Sequence, residues 1–181
     1  MIKLRKLQKK DAPLMLEWMH DVDIQKCFKK NMLNISLFEA QDFCENSNII
    51  PPQKSGESLH FAIVNEEDEY LGTVSLKDVD LENLSAEYAI ATRKIAHGKG
   101  VGSTATALVL EKAFNDLGLH RVYLNVLSNN IPAIRLYEKS GFKFEGEFRE
   151  HIRQDGEYLN WKWYGILANE FNDLKKQKNY K

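Results

Sequence analysis

Cysteine is scarce in this chain: Cys27 and Cys44 are the two in 181 residues, and their spacing suits neither a disulfide framework nor a zinc site. An excess of charge of one sign is lacking too. Lys and Arg number 25 against 26 Asp and Glu, and a net charge of −1 argues against a dedicated nucleic-acid surface. No apolar run approaches the roughly eighteen residues that span a bilayer. The charged stretch from Met1 to Lys10 is not followed by a hydrophobic region. Internal repeats and low-complexity tracts are absent. These gaps lead to the expectation of a soluble, cytoplasmic protein with no metal, no nucleic-acid partner and no membrane segment.

With 43% hydrophobic and 28% charged residues, 181 residues suffice for one α/β core and not for two. The pattern places a domain over 1–168 and a polar C-terminal tail over 169–181. Ile2–Leu7 alternates as a strand. Asp11, Ala12 and Pro13 read as a helix start leading through Leu14, Leu16 and Trp18, and Ser36 with Glu39 forms a capping box for a second helix. After a loop with Pro51, Pro52 and Gly56 come Leu59–Val64 and Tyr70–Leu76, a hairpin around an acidic turn, then a third strand, Leu84–Ala91. Arg121–Val126 is a further strand. Phe142–Arg149 and Tyr158–Ile166 pair across a turn at Asp155 and Gly156.

Between the Leu84–Ala91 strand and a helical pattern over Ser103–Leu117, closed by Gly118, stand His97, Gly98, Lys99, Gly100, Val101 and Gly102. Glycines let a backbone turn tightly and converge its N–H groups on an anion, and the helix that follows adds its N-terminal dipole. A Walker loop would need glycine where Arg93 stands. A dinucleotide fingerprint would need Gly or Ala at Ser103 and an acidic residue about twenty positions on, where Leu119, His120 and Arg121 stand. A ligand-free glycine turn is the remaining plain alternative.

A second segment, Asn125–Phe142, reads as strand end, loop, short helix and turn. Its Asn125, Asn130, Ala133, Leu136, Tyr137, Gly141 and Phe142, taken with the glycine loop, resemble the GNAT superfamily of acetyl-CoA-dependent N-acetyltransferases. The similarity runs from Leu59 to Leu167, with His97 where the family has Gln or Arg. The resemblance implies an α/β (α+β) fold, a single domain with a central, mixed, mostly antiparallel twisted sheet flanked by helices. It implies acetyl-CoA as co-substrate, bound by Ile90, Ala91 and Thr92, by His97, Gly98, Lys99, Gly100, Val101, Gly102 and Ser103, and by Asn125, Asn130, Ala133, Leu136, Tyr137 and Lys139. It further implies that the Tyr137 phenol protonates the departing thiolate, that Glu87 is a base for the amine, and that backbone N–H around Ile90 polarises the acetyl carbonyl. Tyr137 as core packing and Glu87 as an exposed strand carboxylate are the plain alternatives. His120 and His151 are bases by chemistry alone.

The partner is an amine-bearing acceptor of unknown identity, and a homodimer fits the same reading. The layout looks like the branch holding ribosomal-protein N-terminal and spermidine acetyltransferases, with amino-sugar nucleotide enzymes nearby. Glu145, Glu147, Glu150, Asp155 and Glu157 would suit a polyamine, and Lys26, Lys29 and Lys30 an acidic acceptor; solvated faces are the plain reading of both. One face of Trp161, Lys162 and Trp163 is expected to be core. A non-catalytic acyl-CoA-binding regulatory module is the alternative function.

Overall fold

The computed structural model describes residues 1–47 and 49–179. Seven strands form one sheet: β1 Lys3–Lys6, β2 Glu57–Val64, β3 Tyr70–Asp80, β4 Ser85–Thr92, β5 Arg121–Leu127, β6 Lys143–Gln154 and β7 Glu157–Leu167. Their spatial order is β1-β2-β3-β4-β5-β7-β6, and every pair is antiparallel except β4 with β5. The expected mixed, mostly antiparallel sheet is what forms.

Helices cover both faces, as the period-two pattern of the strands requires. Against one face lie α1 Ala12–Met19 and α3 Leu37–Asn46, whose Met15, Trp18, Ala40 and Cys44 pack with Leu7, Ala62, Val64 and Tyr70. The indole N–H of Trp18 donates to the Tyr70 hydroxyl at 3.0 Å, which satisfies a polar pair inside this cluster. Between them runs a single helical turn, α2 Val22–Gln25, capped by Asp21. Against the other face lie α4 Val101–Glu111, α5 Ile131–Lys139 and α6 Ala168–Asn179. Here Phe61, Ile63, Val74, Leu76, Ala86, Tyr88, Val122, Leu124, Tyr164 and Ile166 of the sheet meet Val101, Ala105, Val109, Ile134 and Tyr137.

The boundaries differ from expectation in instructive ways. The single helix expected over 103–117 starts two residues earlier and ends in a wider π turn at Lys112–Asp116, closed by Gly118 at φ 65°. The final hairpin is longer, because bulges between Phe144 and Gly146 and between Phe148 and Ile152 absorb the mismatch in register. The polar segment from Asn169 is helix α6 as far as Asn179, with Phe171 buried against Phe114 at a centroid separation of 5.2 Å. Residues 180 and 181 of the expected tail lie outside the described residues.

Candidate active site

The ladder between β4 and β5 has three rungs: Ser85 with Arg121, Ala86 with Val122 and Glu87 with Tyr123. Beyond Glu87 both strands continue, β4 to Thr92 and β5 to Leu127, with no pairing between them. β4 stays bonded to β3 as far as Thr92, and β5 to β7 as far as Leu127. The sheet therefore splits, and Ile90, Ala91 and Thr92 form one wall of the split.

The glycine loop follows directly. Arg93 ends β4 with its guanidinium buried, Nε donating to Glu17 Oε2 at 2.7 Å and Nη1 to Glu69 Oε1 at 2.7 Å and to the Tyr70 carbonyl at 2.9 Å. Lys94 reaches Asp21, the cap of α2, at 2.7 Å. The loop entrance is thus held by α1, α2 and β3 together. Gly98 and Gly100 take φ of 72° and 76°, where side-chain-bearing residues are strained. Gly100 caps α4 in the left-handed conformation, and among the described residues no side chain bonds the helix's first N–H groups. Those N–H groups of Val101, Gly102 and Ser103 and the helix dipole fit a diphosphate. Gly102 lets α5 approach: a Cβ there would stand 3.3 Å from Leu136. His97 and Lys99 are exposed, the His97 ring within 3.3 Å of the Thr92 carbonyl. A groove of about 330 Å³ between α4, α5 and α6 continues from the loop, with Ser103, Lys139 and Lys175 on it.

Tyr137 lies on α5 beside the split, 8% exposed, its ring edge-on to Tyr88 at 5.8 Å and to Phe142 at 6.0 Å. Tyr88 is anchored in turn, its hydroxyl 2.8 Å from Thr106 on α4. Among the described residues nothing bonds the Tyr137 hydroxyl. Burial pushes the phenol well above its ordinary value, and the charge of the Cys27 thiolate would push the same way. The motif's Asn130 caps α5, its Oδ1 accepting from Ala133 N at 3.3 Å.

Glu87 faces away from Ala86 and Tyr88, as alternation requires, and so lies on the opposite face of the sheet from Tyr137. Its Oε1 accepts from Lys77 at 2.8 Å and from Asn125 at 3.4 Å; among the described residues Oε2 takes no bond. Asn125, expected among the cofactor contacts, turns its amide to Glu87, because its position in β5 has the parity of Tyr123 and the face of Glu87. Trp161 and Trp163 correct an expectation. The core face of β7 belongs to Tyr164 and Ile166, while the two indoles are half-buried on the Glu87 face with Tyr123, Phe148 and His151. Sequence reasoning also missed Arg93 as an anchor and Lys77 as the partner of Glu87.

The expected acidic run does not line this face as a set. Glu145 is bound to Arg121, and Glu147, Glu150, Asp155 and Glu157 are exposed. Lys26 has an acidic neighbour, Asp23 at 3.9 Å. His120 and His151 are exposed, away from Glu87 and Tyr137 in the contacts they make.

A split sheet, an uncapped helix N-terminus beside it, and a phenol and a carboxylate on either side of the gap make an arrangement for passing an acyl group between two ligands. Comparison with known proteins agrees. Residues 2–143 match the family model described as an acetyltransferase (GNAT) domain. The chain is 28% identical over 173 residues to an uncharacterized N-acetyltransferase, p20, of Bacillus licheniformis, covering 93% of each chain. It is 29% identical over 159 residues to a spermidine N(1)-acetyltransferase of Escherichia coli, covering 88% of this chain and 82% of that one. Its fold matches the crystal structure of a spermidine N-acetyltransferase from Vibrio cholerae in complex with CoA and spermine, with TM-score 0.81 and 24% identity over 94% of this chain and 98% of the other. The chain belongs to the GNAT acetyltransferase family and is an N-acetyltransferase.

Proposed function

We propose that this N-acetyltransferase moves the acetyl group of acetyl-CoA to a primary amine by direct attack, with both ligands bound at the split between β4 and β5. The observation that carries the reading is the three-rung ladder, which opens the sheet between Glu87 on one face and Tyr137 on the other. Acetyl-CoA supplies an activated thioester; Val101, Gly102 and Ser103 with Gly98 and Gly100 hold its diphosphate through backbone N–H. Ile90, Ala91 and Thr92 take the arm on one side, and Ala133, Leu136 and Tyr137 on the other, with Lys139, Lys99 and His97 toward solvent and Asn130 fixing α5. Backbone N–H near Ile90 polarises the carbonyl.

Glu87 Oε2 receives the ammonium and accepts its proton, directly or through water, while Oε1 is steadied by Lys77 and Asn125. The freed nitrogen attacks the acetyl carbon, a C–N bond forms, the C–S bond breaks, and the thiolate leaves with a hydrogen bond from Tyr137; the second proton shed by the nitrogen goes to that sulfur, so amide and free thiol are the products. Burial keeps that phenol protonated across physiological pH. It also makes full transfer to an ordinary thiolate, near 8.5, uphill, so Tyr137 acts first as a hydrogen-bond donor to developing charge.

A polyamine acceptor is a second reading, favoured by the spermidine acetyltransferase of Escherichia coli among the relatives. Thiol release from acetyl-CoA, followed with spermidine, simple amines, amino-sugar nucleotides and peptides, tests both. Stabilisation by acetyl-CoA in a thermal shift with amine-dependent release supports acetyl transfer. Stabilisation without release from any amine supports the non-catalytic acyl-CoA module instead.

A further inference from the structure

The Glu87 face continues beyond the split as a stripe of rings. Tyr123 neighbours Glu87 across the last rung of the ladder and stacks on Trp163 at a centroid distance of 5.9 Å and 22°. Trp163 meets Phe148 at 5.7 Å and Trp161 at 5.8 Å, and His151 stacks on Trp161 at 5.1 Å and 16°. Two features mark the stripe as a binding wall. The indole N–H of Trp163 is shielded from solvent and has no hydrogen-bond partner among the described residues, a costly state for a buried donor. The ammonium of Lys29, on the connection between α2 and α3, rests over the ring of Trp161, 5.1 Å from its centroid. The carboxylates gather at one end of the stripe: Glu87, with its Oε1 on Lys77, and Asp78 and Asp80 act on Tyr123, while Glu145 is paired with Arg121.

We propose that Tyr123, Trp161, Trp163 and Phe148 are the specificity wall of the acceptor site and select an arylalkyl primary monoamine with an oxygen at its far end, Lys29 vacating Trp161 as it enters. This rests on acetyl transfer at the split as described above. The amine nitrogen goes to Glu87 Oε2, the ring of the acceptor packs on Trp163 and Tyr123, and the far oxygen accepts the Trp163 N–H. Trp163 is two strands over from Glu87 and two residues along on the same face, about 12 Å between backbones, a span that the Glu87 side chain and a ring on a two-carbon arm cover together. Beyond Tyr123, toward Trp161, a polycation would meet rings and the Lys29 ammonium where it needs further carboxylates. The wall lets a single cation in and offers the rest of the molecule an apolar surface.

The test uses the full chain with tyramine, phenethylamine, ethylamine and spermidine. Two readouts run side by side, thiol release with acetyl-CoA and quenching of tryptophan fluorescence without it. Tyramine should exceed both spermidine and ethylamine in kcat/KM by at least about 10-fold, with phenethylamine between. Trp161→Ala should collapse the tyramine-to-ethylamine ratio by about 10-fold and weaken tyramine quenching equally. Acetyl-CoA affinity within about twofold shows that the variant folds, and Trp161→Phe should restore most of the ratio. Trp163→Phe keeps a ring and removes the N–H, so it should erase the advantage of tyramine over phenethylamine. Lys29→Met should lower the KM of tyramine. Preference for spermidine over tyramine, or an equal loss for every amine in Trp161→Ala, overturns the wall. No thiol release from any amine overturns acetyl transfer alone, and the quenching series then still decides for or against the wall.

Discussion

The two faces of this sheet are built by different means. The face under α4 and α5 is closed and apolar, and what it offers a ligand is backbone: Gly98 and Gly100 in left-handed turns and the uncapped start of α4. The face around Glu87 is half open, and what it offers is side chains from five strands: Lys77, Glu87, Asn125, Trp163 and Phe148. A ligand common to a family needs only the first kind of site. The partner that distinguishes one enzyme from the next is read by the second, and there substitutions are not constrained by the turn geometry.

Separating the two faces by mutation tests this contrast. The largest effect is expected at Tyr137, to which the proposed function gives the leaving thiolate: Tyr137→Phe should lower kcat about 100-fold with acetyl-CoA affinity within about twofold, measured by steady-state kinetics and calorimetry. Equal turnover would return Tyr137 to core packing. Its pH dependence carries a sign. Because burial raises the phenol above its ordinary value near 10, the protonated form persists to higher pH, so kcat should show no descending limb between about pH 7 and 10 from this group.

Glu87→Gln should act on the other ligand alone, lowering kcat/KM for the amine by about 10-fold to 30-fold at neutral pH. The deficit should shrink toward pH 10, where the amine arrives already deprotonated, and a deficit constant with pH would deny Glu87 its part in proton removal. The smallest effect is expected from Gly100→Ala. A residue with a Cβ at φ 76° costs roughly 1 kcal/mol, so acetyl-CoA should bind about 5-fold more weakly while the KM of the amine stays put. A change in the amine's KM as well would show that the two faces are not separable.

The face that the proposed function gives to the donor was legible in the sequence as a set of motifs, and the face it gives to the acceptor was not. The glycine loop, the cap at Asn130 and Tyr137 lie within short stretches whose spacing carries their geometry. Glu87 could be assigned to the right face by alternation with Ala86 and Tyr88, since the period of a strand is local. The same parity told which residues share a face with Trp161 without telling what covers it, and the indoles were taken for core. Asn125 was placed with the cofactor contacts because the resemblance put it in a segment, while its facing follows the alternation of β5, whose Val122, Leu124 and Val126 take the core side. Arg93 was legible as the residue that breaks a Walker pattern; its partners Glu17 and Glu69 stand 76 and 24 residues away, beyond any local signal.

The short ladder between β4 and β5 has a mechanical consequence. β1 to β4 form one ribbon and β5 to β7 another, joined edge to edge by three rungs and by the helices packed across them. A ligand lodged in the split touches both ribbons and so acts as a rivet. At a free concentration 100 times its dissociation constant it adds about 2.7 kcal/mol to the cohesion of the whole chain. In a cell rich in acyl donor, the molecule's resistance to unfolding is then in part a reading of that supply.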